Sequence, residues 1–371
     1  MKKLFNRIYK KLFKNKKNKT KRSRYLFGGP IYKKLDETEK KKMKKSILKF
    51  YPGIDEKGKL YRKISRDLAF SKEYYNCSKE DYFLFDFYHK CDRKRKQFIT
   101  KYQKSEYIHL LNTDESIALL RDKVKTHEMF KKYYNREVIE LKNEKDYDKF
   151  DKFTKKYKKF IKKTNLRAGG KGVELIKLST IDKKEFFNDS INNEKTTVLE
   201  QLIEQADEMA MLHPSSVNTV RIITFLDTDG TVKIKYPFLR MGQNNSIVDN
   251  GGSGGILALI DEKTGKVKTH GVDEKFKWYK EHPNTCVKIK GFQIPDWEEA
   301  KNLAIEAQHK LPDARLIGWD LAYTNQGWIM VEGNGHTMFI GQQIADQKGK
   351  KKEFEKMIHY DKLKKEKEET E

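Results

Sequence analysis

The stretch Ile317–Asn334, IGWDLAYTNQGWIMVEGN, decides how the rest of the chain is read. Two short strands, Ile317 to Tyr323 and Trp328 to Glu332, flank the turn Thr324-Asn325-Gln326-Gly327, whose residue types suit a tight reversal. Folding back at that turn brings Asp320 across from Glu332 to within about a residue of register, and Asn334 follows Glu332 by the strand period of two. Three hard oxygen donors then share one face. Two carboxylates set among Trp319, Leu321, Ile329 and Val331 repel one another and lose hydration unless a cation neutralises them. An all-oxygen set suits Mg²⁺ carrying phosphates. The alternative is an ordinary amphipathic hairpin whose acids sit in water.

Upstream, Asp296 to Lys310, DWEEAKNLAIEAQHK, predicts a helix leading into this hairpin. Before it, SVNTVRIITFLD and TVKIKYPFLRMG form a second hairpin around Thr228-Asp229-Gly230, with Asn218 near its entry and Arg221 and Arg240 on opposite strands. Arginine's planar fork suits phosphate oxygens and transition-state charge, although an arginine on an antiparallel sheet also serves as a plain solvated side chain. Asn250 to Gly255, NGGSGG, either lets a ligand approach the backbone or turns at the surface. A further glycine cluster lies in TNLRAGGKGVELI, where Gly169, Gly170 and Gly172 allow amides to surround a phosphate while Lys163 and Lys171 add charge. It has neither the Gly-Lys-Ser/Thr ending of a P-loop nor the GxGxxG order, and its plainer reading is a turn in a basic protein.

TTVLEQLI, Thr196 to Ile203, starts as a strand and gives way to a predicted helix, IEQADEMAML, that stops at His213-Pro214. Glu137 to Leu141 and the residues from Phe160 to Lys163 are further strand candidates, and DESIALLRDKVKTHEMFKKYY predicts one or two helices. Residues 25 to 110 read as mainly helical, with the aromatic run Asp81 to His89, DYFLFDFYH, as core. Residues 1 to 24 alternate apolar pairs with Lys and Arg: a basic amphipathic segment that either rests on anionic lipid or packs on its own protein ahead of a basic linker. Residues 347 to 371 predict a charged helical tail.

Composition narrows the classes. The 371 residues are enough for two or three domains, and 80 Lys and Arg against 54 Asp and Glu give a net charge of +26. That excess favours anionic partners without choosing among them, and a Lys- and Asn-rich chain also arises from coding bias. Cys77, Cys91 and Cys286 are too scattered for a disulfide framework or a zinc site. No apolar run approaches the roughly 18 to 20 residues that span a bilayer, and no signal-peptide pattern opens the chain, so the expected location is cytoplasmic, at most on the inner face of the membrane. No recognition helix or RNP-like strand points to nucleic acid.

Taken in order, Lys123 in RDKVKT, Lys163 before RAGGKGV, VLEQLI, SVNTVRI, GWDLAYT and VEGN resemble the parts of the ATP-grasp superfamily, most nearly its sugar-transfer-associated members, over roughly residues 110 to 345. The resemblance implies an α+β fold in which two subdomains, 111 to 205 and 206 to 346, hold ATP between their sheets after a mainly helical N-terminal region. It implies that Lys123 and Lys163 contact phosphates or adenine and that Gly169, Gly170 and Gly172 cover the phosphates. Glu200, Gln201 and Leu202 would form the adenine hinge, with Asn218 near the nucleotide. Arg221 and Arg240 would meet the transferred group, while Asp320, Glu332 and Asn334 hold Mg²⁺. Two departures put the ribose contacts in question: Lys163 lacks the proline that often follows it, and Gln201 stands where a second acid is common.

The implied reaction is ATP-dependent activation of a small carboxylate, such as an amino acid, and its transfer to an amine or hydroxyl of a surface polysaccharide or precursor. A phosphotransferase acting on a sugar or lipid-linked precursor would use the same cradle. A basic module that only binds a polyanion has no use for clustered acids.

Overall fold

Helices carry the N-terminal part of the chain: Lys21–Lys34, Glu37–Phe50, Lys59–Tyr75 and Lys79–Leu84. Asp36 starts the second by accepting from the Glu39 amide, and Ser78 and Asp81 start the fourth as a reciprocal capping box. Tyr82, Phe83, Leu84, Phe85 and Phe87 are buried with Leu68, Phe70 and Phe98, so the aromatic run is core. Inside it, Arg95 donates from Nη1 and Nη2 to the two oxygens of Asp67, at 3.0 and 2.6 Å. Arg24, the last residue of the expected basic segment, is itself buried, 3.6 Å from both Asp67 and Asp92.

The computed structural model describes residues 21–166, 172–193, 196–246, 249 and 254–370. Residues 1 to 20, Gly169 and Gly170, and Asn250 to Ser253 of the second glycine loop lie outside the described residues. The chain divides into a helical unit, up to Glu106 together with Gln347–Asp361, and a second unit, Tyr107–Asp346 with Lys362 onward. The expected tail is thus split: Gln347 accepts from Lys90 at 2.8 Å and donates to the Leu84 carbonyl at 3.1 Å, and the Lys351 amide donates to the Gln97 carbonyl at 2.8 Å. Among the described residues, no helix is long and apolar enough to cross a membrane.

The second unit holds two antiparallel sheets. The strands β1 (Val138–Leu141), β2 (Lys159–Thr164), β3 (Glu174–Lys177) and β4 (Thr197–Gln201) form a four-stranded sheet in the order β1-β4-β2-β3. One face packs on the helices Tyr147–Lys156 and Lys183–Ile191 through Phe150, Phe153, Phe160, Phe187 and Leu199. The rest form a seven-stranded sheet: β5 (Thr219–Leu226), β6 (Val232–Met241), β7 (Ile256–Leu259), β8 (Gly271–Val272), β9 (Trp278–Tyr279), β10 (Leu316–Thr324) and β11 (Gly327–Asn334), in the order β11-β10-β5-β6-β7-β8-β9. Its core includes Val220, Ile222, Leu239 and Trp319, covered by the helices Lys123–Tyr134 and Trp297–His309. Trp319 lies edge-on to Phe130 at 5.3 Å and donates from its indole to Thr224 at 2.9 Å.

The opening hairpin, β10-β11, pairs Asp320 directly with Glu332 and Gly318 with Asn334, and a bulge follows at once, Leu321 facing Met330. Between the sheets the expected helix after Ile203 is confined to Asp207–Ala210. The reason is tertiary: Gln205 bridges to Thr324, and its side chain donates to the His213 and Ser216 carbonyls at 3.0 and 2.6 Å, holding the segment open as a connector.

Candidate active site

A cavity of about 430 Å³ lies between the inner faces of the two sheets. Ile161 and Lys163, two residues apart on β2, reach it from one side with Leu175 of β3 and Glu200 of β4. Val331 and Glu332 of β11, Thr219 of β5, Arg240 of β6 and Asp249 reach it from the other, and the connector Gln201 to Gln205 closes one end. Of the residues singled out from sequence, Lys123, Lys163, Glu200, Gln201, Leu202, Arg240 and Glu332 line it. Arg221, Asp320 and Asn334 stand behind this wall, and Gly172, with φ +76°, adjoins the lining Val173.

Two buried carboxylates organise the charges. Glu200 accepts from Lys163 Nζ at 2.9 Å and from Arg136 Nη2 at 3.1 Å. Burial alone would raise its carboxyl, but these two cations hold it down to about 2. The same Arg136 guanidinium donates to the Met330 and Val331 carbonyls of β11, at 2.5 and 3.1 Å, so one side chain joins the two sheets at the bulge. Lys123 caps the other side: its amide donates to Asn165 at 2.9 Å, and burial keeps its ammonium below the ordinary lysine value while Glu332 opposes that shift.

The second is Asp320, which is fully buried. Arg221 grips both its oxygens, through Nε and through Nη2, the latter at 2.7 Å, and Arg240 Nη1 lies 3.1 Å from Oδ2. Burial raises the Asp320 carboxyl, yet the arginines leave it below its usual range. Arg240 is held in turn by Thr219 at 2.9 Å and Asp249 at 3.2 Å. Glu332 faces Asp320 and accepts from Asn334 at 3.3 Å, and its carboxyl is raised by burial first and by the Asp320 charge second. Among the described residues no group of three or more His, Cys, Asp or Glu side chains is assembled for a metal. The donors present are two carboxylates and an amide oxygen source, which suits a hard cation such as Mg²⁺, and neighbouring acids that disfavour each other's charge are what such a cation relieves. Of these, Glu332 meets the cavity directly, whereas Asp320 would have to share with the ion the oxygens that Arg221 and Arg240 already hold.

Asn218 is used differently from the expectation. Fully buried, its amide donates to the Gln205 side chain and to the Met209 and His213 carbonyls at 2.9 to 3.0 Å, so it fastens the connector and does not line the cavity. The Glu200 carboxylate is likewise committed to Lys163 and Arg136, and Gln201 turns its side chain to the Glu137 amide and the Tyr157 hydroxyl, at 3.1 and 3.0 Å. Only the backbone of these two is left for a hinge role. Arg221 faces Asp320, not the cavity. Sequence reasoning missed Arg136 and Asp249. Arg136 carries no motif, its sole signal being an arginine in a lysine-dominated chain, and Asp249 directly precedes the glycine run that drew notice.

Residues 102–358 match the family model described as sugar-transfer associated ATP-grasp. With well over half of the chain matched, the protein belongs to that family, and its α+β architecture is the one the family implies. No curated protein sequence matches. Among solved structures it is similar to the D-alanine-D-alanine ligase from Coxiella burnetii, at 9% identity over 69% of this chain and 62% of that one, with a TM-score of 0.43. It is also similar to N5-carboxyaminoimidazole synthetase from Staphylococcus aureus complexed with ADP, at 15% over 62% and 48%, TM-score 0.40. A third is the ATP-grasp ligase PsnB complexed with minimal precursor, at 13% over 64% and 60%, TM-score 0.39. The chain spans less than two thirds of the length of each.

Proposed function

We propose that this chain is an ATP-dependent ligase that activates a carboxylate as an acyl phosphate and joins it to an amine or hydroxyl of a cell-surface polysaccharide or its precursor. The observation that carries this reading is the charge order of the cavity: Lys123, Lys163 and Arg240 line it, Glu332 backed by Asp320 stands in its wall, and a backbone connector closes it. Phosphoryl transfer asks for placement and charge neutralisation and needs no protein nucleophile.

In this reading Lys123 and Lys163 hold phosphate oxygens, the backbone of Glu200, Gln201 and Leu202 meets the adenine edge, and Gly169, Gly170 and Gly172 cover the phosphates. Asp320, Glu332 and Asn334 would hold Mg²⁺, which supplies positive charge to those oxygens when bound. Arg240 presents its guanidinium to the reacting group, and Arg221 acts through Asp320 by fixing that carboxylate. A carboxylate oxygen attacks the γ-phosphorus, the bond from that phosphorus to the bridging oxygen breaks, and ADP leaves with the electron pair. The acceptor then attacks the acyl carbon, expelling inorganic phosphate and losing its proton to solvent.

The polysaccharide setting draws its support from the description of the family. Contact with anionic membranes through residues 1 to 24 belongs to the same reading, and sedimentation with anionic vesicles that survives their deletion would remove it. The main test incubates the purified protein with Mg-ATP, amino acids and nucleotide sugars, following ADP release and product mass. ADP with a new amide or ester is expected. ADP with a stable phosphorylated sugar or lipid would overturn the ligase reading in favour of a phosphotransferase.

A further inference from the structure

A second cavity, of about 320 Å³, shares Lys123 and Glu332 with the first. Its apolar side is Ile117, Leu120 and Tyr134, and its polar side includes Arg121, Thr126, Asn334 and His336. Close backbone packing builds it. A Cβ on Gly333 would meet the Trp319 ring at 2.8 Å and Leu120 at 3.0 Å, and one on Gly335 would meet Ile117 Cα at 3.3 Å, so the helix Asp114–Arg121 lies directly on the end of β11. Asn112 secures the same corner, donating to the Leu316 and Gly335 carbonyls at 2.9 and 3.0 Å. Arg121, at the last turn of that helix, is exposed and forms no ion pair among the described residues.

We infer that this second cavity receives the carboxylate to be activated, and that its occupant is a single amino acid or small organic acid with a modest apolar side chain. The inference rests on the ligase reading and adds to it the seat of the acid and the residues that hold it. Three observations converge. The volume lies at the lower end for ligand sites, enough for one small molecule and too small for an oligosaccharide. Arg121 and Lys123 offer an incoming carboxylate two positive charges, which let it approach a triphosphate that would otherwise repel it. Because Lys123 and Glu332 line both cavities, a carboxylate seated beside them lies next to the phosphate end of the nucleotide site.

The test supplies the full-length protein with Mg-ATP and hydroxylamine, offering the protein amino acids one at a time and then glycolate, lactate, succinate and glutarate. An acyl phosphate formed on any of them is trapped as its hydroxamate. With the acid so found, Arg121→Gln should raise its KM on the order of tenfold to a hundredfold while leaving the KM for ATP within about twofold, and Arg121→Lys should recover part of the loss. An unchanged ATP KM also certifies that the variant is folded. Hydroxamate formation with an acid KM indifferent to Arg121, or with acid and ATP affected alike, would overturn the seat and leave the ligase standing. Phosphate transfer to a sugar with no hydroxamate from any acid would overturn both.

Discussion

Each sheet of the second unit buries one carboxylate among cations, and the two arrangements balance differently. Glu200, on the four-stranded sheet, has Lys163 and Arg136 to itself. Asp320, on the seven-stranded sheet, has Arg221 and Arg240, but Glu332 faces it and Asp249 draws on Arg240. The first satisfies its carboxylate with one cation to spare. The second carries a surplus of acid, and a surplus of acid is where a divalent cation with its phosphates gains most. The lesson is that neither cluster cancels locally: two cations share one acid on the first sheet, and three acids share two arginines on the second.

The sharpest way to break this contrast is Glu332→Gln. Turnover dependent on Mg²⁺ should fall on the order of a thousandfold with the fold retained, since charge stabilisation of the transition state is lost. Undiminished turnover in the folded variant would put Glu332 with the structural carboxylates. On the other sheet, Arg136→Met should cost about 3–5 kcal/mol in denaturant unfolding, because Glu200 is left buried with half its partners, while Glu200→Gln placed on top should recover part of it. Next come opposite pH signatures. Glu200 falls from 4.5 to about 2 on folding, so its stabilisation, on the order of 3 kcal/mol, is present above pH 4.5 and lost as pH falls through 2. Glu332 is raised above 4.5, so its contribution is present below pH 4.5 and lost as pH rises through its folded value. Unfolding measured against pH without Mg²⁺ should lose the acid-side slope in Glu200→Gln and the opposite slope in Glu332→Gln. The smallest effect is Arg221→Lys: one contact to Asp320 replaces two, and turnover should drop about tenfold with the KM for ATP nearly unchanged. A change in the ATP KM alone would make Arg221 a nucleotide contact after all.

Much of the fold was legible because it is written in local periods. The hairpin around Asn325 and Gln326 follows from alternation and turn chemistry, and the pairing of Asp320 with Glu332 follows from counting back from that turn. That Lys123, Lys163 and Glu332 come together at one cavity was legible through their place in a run of motifs. What stayed hidden depends on contacts distant in sequence. Nothing near Asn218 says that its amide is used up by Gln205, Met209 and His213, and the helical look of IEQADEMAML yields to the need to cross from one sheet to the other. Arg136 is silent for the same reason, its partners lying at Glu200 and at Met330 and Val331.

That guanidinium also sets how the clasp works as a machine. Anchored to a carboxylate of one sheet and to two carbonyls of the other, Arg136 acts as a rivet at one edge of the cleft. Any change in the angle between the two sheets must therefore keep or break this three-point contact. Loosening it would free the register between Lys163 on one sheet and Glu332 on the other, although Arg136 itself does not line the cavity.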